Sequence, residues 1–93
     1  MMNSLTTFSI PSEVMCRSIG DEIVILDLAQ GTYYGLNNVG SRIWALMVDG
    51  RTVEDISMAL VTEYEVTSDD AERDLRELAG NLIAKGLVSL IDS

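Results

Sequence analysis

The side chains that most often carry chemistry are scarce in this chain. Its 93 residues include no histidine and one cysteine, Cys16. A Ser-His-Asp or Cys-His nucleophile, a His-bearing zinc site and a four-cysteine zinc site therefore cannot be assembled within one chain. An intramolecular disulfide is equally impossible. Cys16 alternates within a strand-like stretch and reads as a small buried hydrophobe. The carboxylates Asp69, Asp70, Asp74 and Glu77 could suggest acid catalysis or calcium, but they lack the spacing of an EF-hand loop. They open a helical stretch, where carboxylates favour the positive end of the dipole and face solvent. No catalytic residue, metal ligand or cofactor is assigned, and the chain reads as a binding protein rather than an enzyme.

Two features exceed what a small core needs. The first is the stretch Thr32-Tyr33-Tyr34-Gly35-Leu36, a strand by its aromatic and β-branched content. It closes a meander, so one edge is left unpaired, and it carries none of the lysines or prolines that normally blunt such an edge. Either another element covers this edge, or it is kept open for a peptide added as a strand. Tyr34 and Leu36 are expected to share a face with Leu26 and Leu28 toward the helices, with Tyr33 and Gly35 turned away. The second feature is the helical stretch from Ser68 to Lys85. Ala71, Leu75, Leu78 and Leu82 make a complete core stripe; Ala79 and Ile83, extended by Glu72 and Arg76, form a flanking stripe that is either part of a widely buried arc or the wall of a groove.

The elements that must position these residues follow from the periodicity. Residues 1–12 read as a loose arm ending at Pro11, and residues 13–91 as the domain. From Glu13 the period is two, with Val14, Cys16 and Ser18 alternating with Met15, Arg17 and Ile19 until the Gly20-Asp21 turn. Glu22–Leu28 is the second strand, with Val24, Leu26 and Leu28 on one face. Ala29-Gln30-Gly31 leads into the third. At Asn37 or Asn38, a fair N-cap, the period becomes 3.6. Val39, Ile43, Leu46 and Met47 share one face of a helix, widened by Trp44 and stopped at Asp49-Gly50. Thr52 caps a second helix with the stripe Val53, Ile56, Ala59 and Leu60. Thr67 or Ser68 caps the third, longest helix, which ends at Lys85-Gly86. Leu87–Ile91 is apolar, either a short strand or a lid. The expectation is an α+β fold, a three-stranded antiparallel sheet followed by three helices, in the manner of a winged helix-turn-helix.

Charge separates that architecture from DNA binding. Fifteen acidic residues stand against six basic ones, a formal charge of −9. From Ser68 to Lys85 there are five acids and three bases, and a net-acidic recognition helix is repelled from a major groove. An anionic membrane surface is disfavoured for the same reason. The strongest apolar run, Ile23-Val24-Ile25-Leu26, is far short of the roughly 20 residues of a membrane span. The N-terminus lacks the basic and apolar regions of a signal peptide, so the cytoplasm is the expected compartment.

Three phrases then carry a resemblance: Asp27-Leu28-Ala29-Gln30-Gly31-Thr32-Tyr33-Tyr34-Gly35-Leu36-Asn37, Gly40-Ser41-Arg42-Ile43-Trp44, and Gly50-Arg51-Thr52-Val53-Glu54-Asp55-Ile56. They resemble the PqqD-like family, over roughly residues 13–91. The resemblance implies a precursor-peptide recognition element of ribosomally made, post-translationally modified peptides. Such domains bind a leader peptide as an added strand in the cleft between the third strand and the third helix. Combined with the strand edge and the flanking stripe, it makes Thr32, Tyr33, Tyr34, Gly35 and Leu36 on one side and Arg73, Arg76, Ala79 and Ile83 on the other the expected peptide-binding residues. Arg73 and Arg76 are two of only six bases, set in an acidic helix, and Arg76 is expected to hold a leader carboxylate. Within the family the sequence is similar to the free-standing recognition subunit of lasso-peptide pathways, whose partners would be a leader peptidase and a cyclase. A PqqD-type chaperone presenting a precursor to a radical S-adenosylmethionine enzyme, and an acidic winged-helix regulator, are the alternatives.

Overall fold

A computed structural model describes residues 2–91. Val14–Ile19 (β2), Glu22–Asp27 (β3) and Thr32–Leu36 (β4) form an antiparallel meander in the order β2-β3-β4. Asn38–Val48 (α1), Val53–Tyr64 (α2) and Ser68–Ala84 (α3) follow. This is the α+β, winged-helix-like arrangement expected from the periodicity, and the third strand of that reading is β4. Gly20 (φ 64°) occupies the two-residue turn between β2 and β3, where Ile19 faces Glu22. Asn37, Thr52 and Thr67 cap the three helices, each accepting a backbone N–H from the third residue after it, as short polar side chains do at helix starts.

The sheet register differs from the expected one. Asp27 faces Thr32, so Leu28, Ala29, Gln30 and Gly31 form the whole β3–β4 loop. The Asp27 carboxylate, 6% exposed, accepts from the amides of Ala29 (3.0 Å) and Gln30 (3.2 Å). The Gly31 amide donates to the Asp27 carbonyl (2.8 Å) at φ 69°. This loop sets Tyr34 opposite Ile25 and Leu36 opposite Ile23. Tyr34 and Leu36 do face the helices, but in company with Ile25, which is wholly buried, and not with Leu26 and Leu28. Because side chains alternate with period two, a one-residue change in loop length exchanges the two faces. Leu28 is 61% exposed in consequence. Cys16 is exposed, because β2 is an outer strand that no helix covers.

Residues 7–9, expected within a loose arm, form a strand. Thr7–Ser9 (β1) pairs antiparallel with Ser89–Ile91 (β5) in a separate two-stranded sheet. Phe8 enters the core at 5% exposure. The carbonyls of Ser4 and Thr6 accept from the amides of Glu54 and Val53 (3.0 Å each). The arm thus satisfies first-turn donors of α2 that the helix itself cannot. Met1, the first residue of the expected arm, lies outside the described residues. β5 follows the Leu87-Val88 pair, both buried, and resolves the alternative of strand or lid in favour of a strand.

The core lies between the inner face of the meander and the three helices. Ile43, Trp44, Leu46 and Met47 of α1 meet Val53, Ile56 and Leu60 of α2 and Ala71, Leu75, Ala79 and Leu82 of α3. Trp44 is core, as expected, although its indole N–H has no partner among the described residues. Ser41 ties α1 to the sheet. Its hydroxyl accepts from the Ile23 amide (2.8 Å) and donates to the Leu36 carbonyl (3.4 Å).

Candidate peptide-binding site

Two strand edges of the meander are unpaired among the described residues, those of β2 and β4. They differ in what stands beside them. β2 is exposed along nearly its whole length, so a strand added there would meet solvent on both faces. The edge of β4 borders a cleft of about 350 Å³. Tyr34, Gly35 and Leu36 form its strand side. Asn37, Val39, Gly40 and Ile43 close one end and the floor, and Asp74, Glu77, Leu78 and Asn81 of α3 form the far wall. Leu36 and Ile43 are buried, and Val39 and Leu78 half-buried. An apolar side chain entering from an added strand would complete their cover, while its backbone paired with β4.

Local sequence accounts for this placement. Leu36 ends β4, and Asn37 immediately caps α1 by accepting from the Gly40 amide at 2.8 Å. The turn is tight enough that a Cβ on Gly40 would lie 3.1 Å from the Asn37 Oδ1 and 3.5 Å from the Leu36 Cβ. Glycine there keeps strand and helix close, and with them the floor of the cleft.

Of the residues expected on the strand side, three border the cleft. Tyr34, Gly35 and Leu36 line the cleft, Thr32 begins the same strand, and Tyr33 is 78% exposed on the outer face. The residues expected on the helix side stand outside the cleft lining. Ala79, 1% exposed, belongs to the core. Ile83, Arg73 and Arg76 are exposed on α3 outside the cleft. Arg73 pairs with Asp70 (2.9 Å) and Arg76 with Glu72 (2.7 Å). With successive residues about 100° apart on a helix, the core arc of Ala71, Leu75, Ala79 and Leu82 has two flanks. Ala79 and Ile83 mark one of them, and β4 lies beside the other. Leu78, expected in the core stripe, sits on that second flank and faces the cleft.

Electrostatics around the cleft are acidic on the helix side. Asp74 and Glu77 have no ion-pair partner among the described residues. The bidentate pair of Arg42 with Glu63 (2.9 Å for both bonds) links α1 to α2 away from the cleft. The hydrogen bond to Glu63 holds the Arg42 guanidinium above its ordinary pKa, against the opposing effect of burial. Among the described residues no group of potential metal ligands is assembled, and no helix is long and apolar enough to cross a membrane.

The family model described as coenzyme PQQ synthesis protein D (PqqD) matches residues 22–88, from the start of β3 to the residue before β5. This chain belongs to the PqqD family. Two solved structures are similar to it over nearly their whole length. One, of TbiB1 in complex with the TbiA(beta) leader peptide, is 44% identical with a TM-score of 0.82, covering 86% of this chain and 93% of that one. The other, of lasso peptide synthetase B1 complexed with the leader peptide, is 32% identical with a TM-score of 0.82, covering 88% and 96%. No curated protein matches the sequence.

Proposed function

We propose that this chain is a non-catalytic recognition element that captures the leader region of a ribosomally made precursor peptide. The leader adds as a strand to the free edge of β4 and places side chains in the cleft between β4 and α3. The observation that carries this reading is the pairing of an unblunted strand edge with an apolar-floored cleft along the same strand. The two leader-bound relatives support it. Main-chain bonds along the edge supply affinity, and the cleft supplies selection. Tyr34, Gly35 and Leu36 bind from the strand side, and Leu78, Asp74, Glu77 and Asn81 from the helix side.

The domain then delivers the held precursor, in the cytoplasm where it is made, to modifying enzymes such as a lasso-peptide leader peptidase and cyclase. The match to the PqqD family model favours a second reading for the delivery step alone, presentation to a radical S-adenosylmethionine enzyme. Capture is common to both. Titration of the full chain into fluorescein-labelled TbiA(beta) leader peptide, followed by anisotropy, tests it. Saturable binding with a Kd of about 10 μM or tighter, roughly −7 kcal/mol, is expected, with no binding to a scrambled peptide. Equal affinity for the scrambled peptide, or none for either, would overturn the capture reading.

A further inference from the structure

The cleft is electrically polarised along its length. Asp74, Leu78, Asn81 and Lys85 follow one another at spacings of four, three and four, so they lie on one stripe of α3 and its C-cap. The first three line the cleft. Lys85 extends the stripe, its ammonium 5.6 Å from the centroid of the Tyr34 ring. Tyr34 borders both the cleft and a neighbouring hollow that Lys85 lines together with Thr32. The C-terminal end of α3 therefore stands at the Thr32–Tyr34 end of β4. The carboxylates of Asp74 and Glu77 stand toward the other end, with Leu36 and Gly40. Neither carboxylate, nor Lys85, has an ion-pair partner among the described residues. The other two bases of α3, Arg73 and Arg76, are paired with Asp70 and Glu72 and border an outer hollow that Glu77 also lines, outside the cleft.

A strand lying between β4 and this stripe passes an acidic pair, an apolar and amide middle, and a base. We infer that the cleft selects peptides by charge order, a basic residue at the Leu36 end and an acidic residue at the Thr32 end, and thereby fixes the direction of the added strand. Backbone pairing alone permits either direction, since an edge accepts parallel and antiparallel partners. Charge complementarity removes the choice by setting like charges against each other in the wrong direction. The spacing follows from geometry. Glu77 and Asp74 precede Lys85 by eight and eleven residues, about 12–17 Å of helix at 1.5 Å per residue. That distance is about four or five residues of strand. Of these, four keeps both side chains on the cleft face, because side chains alternate.

This inference rests on strand capture in the cleft, and the test separates the two. A library of random peptides, each about 12 residues, is displayed and selected on the immobilised full chain. It is then selected on the Lys85→Glu variant and on the combined Asp74→Lys, Glu77→Lys, Lys85→Glu variant. All three positions are exposed, and thermal melts confirm that each variant folds. The wild-type chain is expected to enrich one order of a basic and an acidic residue four apart. The combined variant is expected to enrich the opposite order. Lys85→Glu alone should lose the acidic preference, with affinity for wild-type binders falling about fivefold, near the upper limit for one exposed pair. Binders that lack a charge order, or keep the same order on the combined variant, would overturn the charge-order inference while leaving capture intact. The absence of any selected binder would overturn both.

Discussion

Replacing Leu78 by alanine separates the wall of the cleft from the core behind it. Leu78 is half-buried in the free chain, between the fully buried Leu75 and Leu82 and the open cleft. Complete burial of a leucine side chain contributes about 1.5–3 kcal/mol. A bound strand can cover only the part that is still open, at most about a third of the side chain, roughly 0.5–1 kcal/mol by the same measure. Leu78→Ala should therefore weaken leader binding about twofold to fivefold, at 1.4 kcal/mol per decade. The larger part, already packed, is lost from the fold. Stability should fall by about 1 kcal/mol, less than the 2–5 kcal/mol of an enclosed leucine, because the space left opens into the cleft instead of forming a void. Anisotropy titration with labelled TbiA(beta) leader peptide reads the first quantity and urea unfolding the second. Ile83→Ala is the control, since Ile83 is 40% exposed on the opposite flank of α3, and its affinity should be unchanged. Affinity unchanged within twofold for Leu78→Ala, together with a stability loss above about 2 kcal/mol, would show that Leu78 is core and that the ligand lies elsewhere.

Other substitutions divide the helix in the same way. Ala79→Trp places an indole where a methyl group is 1% exposed; overpacking alone costs about 1–3 kcal/mol, and loss of the cooperative thermal transition, followed by circular dichroism, is the expected result. Arg73→Ala and Arg76→Ala remove only exposed ion pairs on α3, so leader affinity should stay within about twofold and stability within about 0.5 kcal/mol; a tenfold loss for Arg76→Ala would return that arginine to the peptide site. Ser41→Ala leaves the Ile23 amide and the Leu36 carbonyl without their shared partner. It should cost about 1–3 kcal/mol in urea unfolding, and an unchanged midpoint would show that the bridge to α1 does not hold the end of β4.

The parts of the fold that were legible in the sequence are those set by local chemistry. Asn37, Thr52 and Thr67 each cap the helix they announce, and Gly50 has the positive φ of 81° expected after α1. β2 and β4 have their expected bounds, with β3 ending one residue early, because the glycine-bearing turns and β-branched runs act over a few residues. Decisions that depend on distant partners were not legible. β1 exists because β5 returns to pair with it, 82 residues away between Phe8 and Leu90, and its own three residues carry no periodic signal. The face shared by Tyr34 and Leu36 depended on the length of the β3–β4 loop, and the Asp27 side chain set that length by organising its amides. On α3, periodicity showed an apolar arc with two flanks. The arginines and Ile83 drew attention to one flank, whereas β4 faces the acidic one across the cleft. The available signal was the 4-3-4 spacing of Asp74, Leu78, Asn81 and Lys85, which a search for apolar stripes passes over.

Amide hydrogen exchange of the full chain, with and without saturating TbiA(beta) leader peptide, tests strand addition at β4 most directly. Both β2 and β4 have a free edge, so the molecule contains its own comparison. Slowed exchange is expected within Thr32–Leu36, where edge amides exchange water for a new strand partner, with exchange in Val14–Ile19 unchanged. Protection confined to Val14–Ile19, or saturable binding with no change in Thr32–Leu36, would contradict it.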